Sequence, residues 1–182
     1  HSVWTLQTRY FASHGWNVIA PDLPGHGRSA GPALESIEAL ADWILALLAR
    51  LGCEQAMLVG HSMGSLIALE AAARAPDRIT RLALVGSVFP MPVAPPLLEA
   101  TLSARERAHG MINQWSYAPQ SQLGASSVPG VNLTALNQRL MQRQAPGVPH
   151  RDITACNAYA AGFDSAAKVR CPPLLLSAAL DR

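Results

Sequence analysis

Residues 56–69 read Ala56-Met57-Leu58-Val59-Gly60-His61-Ser62-Met63-Gly64-Ser65-Leu66-Ile67-Ala68-Leu69. The four apolar residues 56–59, bounded by polar residues and glycine, suit a strand buried on both faces. From Ser65 an alanine-rich run suits a helix, which Pro76 stops. Between the two, Gly60 to Gly64 turn the chain sharply. Working outward, residues 79–85 supply a further strand with Leu82, Leu84 and Val85 as its bulk, and residues 173–177 another. Upstream, residues 36–51 place Ile37, Leu40, Ala41, Ile44, Leu47, Leu48 and Leu51 on one helical stripe, ended by Gly52. Residues 17–20 predict a short buried strand. Residues 3–13 predict a helix with Trp4, Leu6, Tyr10 and Phe11 as its apolar positions, closed by His14-Gly15. Strand and helix alternate in this order, which argues for βαβ units and a parallel sheet.

The composition narrows what such a sheet can serve. A chain of 182 residues makes one domain, or one with an inserted subdomain. With 49% hydrophobic and 14% charged residues, it has the material for a core and is not a disordered chain. No run approaches the ~18 apolar residues that a membrane span needs. The net charge is +2, and the basic residues are scattered rather than gathered into the stripe that a phosphate backbone requires, so nucleic acid is disfavoured as a partner. Cys53, Cys156 and Cys171 lie far apart without metal-ligand spacing. That disfavours a disulfide scaffold or a zinc site, and with no visible targeting segment it suggests a reducing, cytoplasmic setting. The chain starts at His1 and stops at Asp181-Arg182 after an apolar run, so both ends read as cut.

After the strand at 79–85 the character changes. Phe89-Pro90-Met91-Pro92-Val93-Ala94-Pro95-Pro96 excludes a helix or a central strand. Helix-like pieces follow at 97–112, 133–143 and 152–162, with a polar loop at 119–130. This divides the chain into a core of residues 1–87 and 165–182 and an inserted helical subdomain of residues 88–164.

Gly60-His61-Ser62-Met63-Gly64 matches G-x-S-x-G, a weak signal as a bare string and a stronger one between a strand and a helix. At the apex of such a turn a serine Oγ projects above the sheet edge, and the flanking glycines avoid clashes that a Cβ would create. The N–H of Met63, at a helix N-terminus, can donate to a developing oxyanion. The plainer alternative is a glycine-rich turn whose serine caps the helix. A phosphate cradle is disfavoured, since no P-loop Lys-Ser/Thr follows.

These features resemble the α/β-hydrolase family, in its serine-nucleophile, esterase-like and lipase-like branch. Asp22-Leu23-Pro24-Gly25-His26-Gly27-Arg28-Ser29 is similar to the family's D-x-P-G-x-G-x-S turn, Val59 to Gly64 to its nucleophile elbow, and Leu174-Leu175-Leu176 leading to Asp181 to the strand that delivers the triad acid. The resemblance implies an α/β-hydrolase fold, a mostly parallel sheet with helices on both faces, truncated at both ends and carrying a helical lid. It implies Ser62 as the nucleophile, Met63 N–H as one oxyanion donor, Gly60, His61 and Gly64 as the rest of the elbow, and Asp181 as the acid that orients a histidine. It implies no metal and no cofactor. Serine at the apex argues against the dehalogenase and epoxide-hydrolase branches, which place aspartate there.

The same resemblance locates two parts outside the chain: a first oxyanion donor upstream of His1 and the catalytic histidine downstream of Arg182. None of the six histidines fills the role. His1, His14 and His26 precede the nucleophile and read as a cut end, a helix end and a structural turn. His61 packs beside the serine, and His109 and His150 are solvated or capping residues. The chain by itself is therefore expected to be inactive and, with the strand ending at Ala20 deprived of its neighbour, poorly folded. In the insertion, Trp115, Asn113 and Tyr159 are candidates for a substrate pocket, with Met91, Leu97 and Met141 among residues that otherwise make the lid's own core. The favoured reading is a fragment of a serine carboxylic-ester hydrolase acting on a small, apolar ester. The second is a non-catalytic protein of the same fold that binds a ligand in the covered pocket.

Overall fold

The structure, a computed structural model, describes residues 1–122 and 130–179. After a single 3-10 turn at Ser2–Trp4, helix α1 spans Thr5–Ser13. Helix α2, Ile37–Arg50, starts where Ser36 accepts the N–H of Ala39 on its hydroxyl and ends before Gly52, which takes the left-handed φ of 66°. Strand β1 is Ala56–His61, helix α3 is Met63–Arg74, and strand β2 is Ile79–Val85. Helices α4 (Pro95–Ser103), α5 (Arg105–Ser116), α6 (Pro119–Gln122), α7 (Leu133–Gln142), α8 (Val148–Ala158) and α9 (Gly162–Lys168) follow, and strand β3 (Pro173–Leu176) completes the described order. No helix among the described residues is long and apolar enough to cross a membrane.

The three strands form one parallel sheet in the order β1-β2-β3. Leu58 pairs with Leu82, Val59 with Ala83 and Gly60 with Leu84. On β2's other side Leu84 pairs with Leu175 and Val85 with Leu176. Helix α3 lies on one face. Ala68, Leu69 and Ala72 pack there on Ile79, Leu82 and Leu84, with Leu48 of α2 at the margin. A second cluster joins Leu66, Ile67 and Ala71 of α3 to Ile37, Leu40 and Ala41 of α2 and to Ala155, Cys156 and Tyr159. The turn at Gly60–Gly64 thus leads into the best-buried helix among the described residues.

Three sequence readings change here. Residues 17–20 belong to no strand among the described residues, and Val18 and Ile19 are exposed. A strand requires a neighbour to take its amides, and β1 is an edge without one. Nor is β1 buried on both faces: Leu58 packs against the clusters that contain α3, while Met57 and Val59 on the other face are exposed. Helix α1 buries none of its residues among those described, and Leu6, Tyr10 and Phe11 are exposed.

The described part of the 88–164 segment is largely helical, as its pattern predicts, but cut differently. Pro95 and Pro96 do not precede a helix; they form the first turn of α4, where missing amide protons cost nothing. The single helix read over 97–112 breaks at Ala104, which lets Leu97 and Ala100 of α4 and Ala108 of α5 close into one cluster. The helix read over 152–162 is α8, starting earlier after left-handed Gly147, followed by the separate α9. Helix α9 begins at Gly162, where a Cβ would strike the ring of Phe89.

Candidate active site

Ser62 is the one non-glycine residue with positive φ among the described residues, at φ 52° and ψ −123°. Holding such a backbone costs about 1–3 kcal/mol, which the surroundings must supply. They do so on both sides of the residue. The Ser62 N–H donates to the carbonyl of Val85 at 3.0 Å, tying the apex to the end of β2. The Ser62 carbonyl accepts from the Ser65 N–H at 2.8 Å and from Ser65 Oγ at 2.6 Å.

The two elbow glycines serve different needs. A Cβ on Gly60 would run into the carbonyl of Gly64, so only glycine lets the strand turn into α3 here. Around Gly64 nothing lies within 4 Å of an added Cβ, which corrects the reading that both glycines relieve clashes. His61 is exposed and does not pack beside the serine as the sequence reading had it, although its backbone is in register with Val85 of β2. The Ser62 side chain caps no helix amide, so the plainer N-cap reading loses its support. Met63 opens α3, and among the described residues its N–H has no acceptor. Asp181 lies outside the described residues.

The turn at 22–29 is built around its aspartate. Asp22 Oδ2 accepts the Arg28 N–H at 3.0 Å, the Ser29 hydroxyl donates to the Asp22 carbonyl at 2.6 Å, and Gly27, at φ 51°, passes so near the carboxylate that a side chain there would collide with it. His26 closes this turn onto α8. Its Nδ1 faces the Pro24 carbonyl at 3.0 Å and its Nε2 faces Asp152 Oδ2 at 2.8 Å. Both partners are acceptors, so the ring is held as imidazolium. Burial lowers its pKa, but the Asp152 hydrogen bond and charge outweigh this and hold it above the ordinary histidine value.

The other histidines separate. His14 Nδ1 meets the Tyr10 carbonyl at 2.7 Å, ending α1 as read. His150 Nδ1 lies 2.9 Å from the Thr101 hydroxyl and bridges α8 to α4. His109 is neither solvated nor capping: it is fully buried, and neither ring nitrogen has a partner among the described residues. Burial, and then the charge of Arg105, lowers its pKa and keeps it neutral. None of these rings contacts Ser62 among the described hydrogen bonds.

The three candidate pocket residues do not converge. Tyr159 is only 5% exposed, and its hydroxyl donates to Glu70 Oε2 at 2.7 Å, an oxygen that also accepts from Ser165 at 2.5 Å. Arg74 Nε donates to Glu70 Oε1 at 2.7 Å. Burial raises the Glu70 pKa, but these hydrogen bonds prevail and hold it below the usual carboxylate value. Tyr159 therefore bolts α3 to the end of α8, a core position rather than a pocket wall. Asn113 joins α5 to α7, donating to the Thr134 carbonyl and to Gln138 and accepting from Asn137. Trp115 is 40% exposed near the end of α5. Two cavities, of about 460 and 530 Å³, are lined by neither Ser62 nor any of these three. Sequence reading missed Ser65 and Glu70. The available signals were a hydroxyl three residues after the apex and a Glu70–Arg74 pair at helical spacing inside an alanine run.

A profile of the alpha/beta hydrolase fold matches residues 1–146. An (E)-2-((N-methylformamido)methylene)succinate hydrolase of Acinetobacter baylyi is 36% identical over 87 residues, 47% of this chain and 33% of the relative. A pimeloyl-[acyl-carrier protein] methyl ester esterase of Aromatoleum aromaticum is 40% identical over 87 residues, 47% of this chain and 32% of the relative. The matches thus span about a third of the length of these curated relatives. Among solved structures, a hydrolase from Pseudomonas aeruginosa superposes with a TM-score of 0.81 at 21% identity, covering 98% of this chain and 67% of that one, a likeness of fold.

Proposed function

The chain belongs to the alpha/beta hydrolase fold family, and from that premise we propose that the whole protein is a serine hydrolase that cleaves a small carboxylic ester through an acyl-enzyme on Ser62. The observation that carries this reading is the strained apex itself. Ser62 sits in a left-handed conformation, exposed, with its side chain capping nothing, beside a Met63 N–H that has no acceptor among the described residues. A mere glycine turn has no reason to maintain that strain.

In the proposed reaction Ser62 Oγ attacks the ester carbonyl carbon and yields its proton to a histidine base, whose imidazolium Asp181 stabilises. The oxygen of the tetrahedral intermediate gains negative charge and takes a hydrogen bond from Met63 N–H. The alcohol leaves with the proton from the imidazolium, and water repeats the sequence to release the acid and restore Ser62. Residues 88–164 act as the lid over a core of 1–87 and 165–182. With Tyr159 and Asn113 held in structural contacts, Trp115 is the one of the three candidates whose side chain stays exposed. The three free cysteines suit the cytoplasmic setting that belongs to the same reading.

The test is labelling of the whole protein by a fluorophosphonate, with Ser62→Ala beside it. Labelling that vanishes in the variant is the expected result. A folded wild-type protein that takes no Ser62-dependent label would overturn the reading in favour of ligand binding without catalysis.

A further inference from the structure

The peptide that joins Ser62 to Met63 is a single rigid plane, with its carbonyl on one residue and its N–H on the next, pointing in opposite directions. Whatever holds the Ser62 carbonyl therefore aims the Met63 N–H. Two donors hold it, and both come from Ser65. The backbone N–H of residue 65, at 2.8 Å, closes the turn and is available from any residue but proline. The Oγ contact at 2.6 Å needs a hydroxyl. Ser65 is 0% exposed, so water does not compete for that bond.

Ser65 Oγ also lies 2.9 Å from Ser87 Oγ. A hydroxyl carries one proton and a carbonyl oxygen can only accept, so the Ser65 proton is directed to Ser62 and Ser87 donates to Ser65. Ser87 stands just after β2, at the root of the 88–164 segment. The line of donors therefore runs from that root, through Ser65, to the backbone of the strained apex. Hydrogen bonds in such a line polarise one another. A carbonyl that accepts two of them makes the N–H of its own peptide a stronger donor.

We propose that Ser65 is a positioning residue for the oxyanion donor: its buried hydroxyl, oriented by Ser87, fixes and polarises the Ser62–Met63 peptide so that Met63 N–H is aimed at the reacting carbonyl oxygen. This rests on the reading of Ser62 as the nucleophile of an ester hydrolase. The alternative is that Ser65 only fills a small buried space, a task that alanine performs equally well.

Ser65→Ala in the whole protein separates the two. It keeps the backbone bond and removes the hydroxyl. Losing an entire oxyanion donor costs on the order of a hundredfold or more in kcat, so a misaimed donor is expected to cost about tenfold. With an activated aryl ester, kcat should fall by that factor while KM moves less than about twofold, because the charge appears only in the transition state. Binding of a trifluoromethyl ketone, which forms a tetrahedral oxyanion on the serine, should weaken by a similar factor. Ser87→Ala should shift kcat the same way by about two- to threefold. A Ser65→Ala protein with wild-type kcat overturns the inference, as does one that loses kcat but keeps its affinity for the ketone. If Ser65→Ala does not fold, Ser87→Ala at wild-type kcat overturns it instead. Wild-type protein without Ser62-dependent turnover removes the hydrolase reading and this inference together; wild-type turnover matched by Ser65→Ala removes this inference alone.

Discussion

Leu6 of α1 is 69% exposed and Leu66 of α3 is fully buried, although each sits in a helix whose sequence carries an apolar pattern. Helix α3 is flanked by β1 and β2 below and by α2 and α9 beside it, and eight consecutive residues, Ser65 to Ala72, are buried. Helix α1 buries none. A helical pattern announces a face that wants a partner; it does not supply one. The difference also explains where a strained serine can be kept. Its strain is sustained by the packing of α3, since helix propensity alone is worth only tenths of a kcal/mol per residue.

The sharpest way to break this contrast is the same truncation in both helices. Leu66→Ala should cost about 3 kcal/mol or more in urea unfolding, and Leu6→Ala no more than about 0.5 kcal/mol. Equal losses would mean that α1 is packed in solution. The elbow glycines make a second pair. Gly60→Ala should destabilise by about 2–3 kcal/mol, because the new methyl meets backbone that cannot yield. Gly64→Ala, placed in open space in the first turn of α3, should stay within about 1 kcal/mol of wild type in the same unfolding assay.

Next comes the bolt between α3 and the end of α8. Tyr159→Phe should lose about 1.5 kcal/mol at neutral pH by depriving the Glu70 carboxylate of a donor. The folded pKa of Glu70 is depressed, so its contribution is present above the ordinary value of 4.5 and is lost as pH falls through the folded value. The acid-side decline in melting temperature should therefore be shallower in Tyr159→Phe than in wild type. A parallel decline would remove Glu70 from the account.

The smallest effect has the opposite sign. The folded pKa of His26 is raised, so its pairing with Asp152 contributes fully below the ordinary value of 6.5 and fades as pH rises through the folded one. Asp152→Asn should lose about 1 kcal/mol below pH 6.5 and progressively less above it. A loss independent of pH would show that Asp152 acts by packing and not by charge.

How far the sequence could be read depends on how local each feature is. Strand β2 at Ile79–Val85, helix α2 with Gly52 at its end, and the turn at Gly60–Gly64 follow from periodicity and turn chemistry within a dozen residues, and the structure places all three there. Helix breaks at Ala104 and between α8 and α9 were not legible, because what interrupts those helices is the fit of Leu97 against Ala108 and of Phe89 against Gly162. Tyr159 looked like a pocket aromatic, since nothing near it in sequence announces a carboxylate 89 residues away.

By itself, then, the sequence determined the run from α2 through β1, α3 and β2, the parallel sheet and the apex serine between a strand and a helix, because those are written in short-range pattern and in glycine's freedom from a Cβ. Only the tertiary structure decided which patterned faces are buried and which polar groups find partners. The pairing of Glu70 with Tyr159, of His26 with Asp152, and of Ser65 with both Ser62 and Ser87 depends on elements that meet only when the chain is folded. A buried polar atom costs free energy unless the fold brings a partner within about 3 Å of it, and local sequence does not say whether it will.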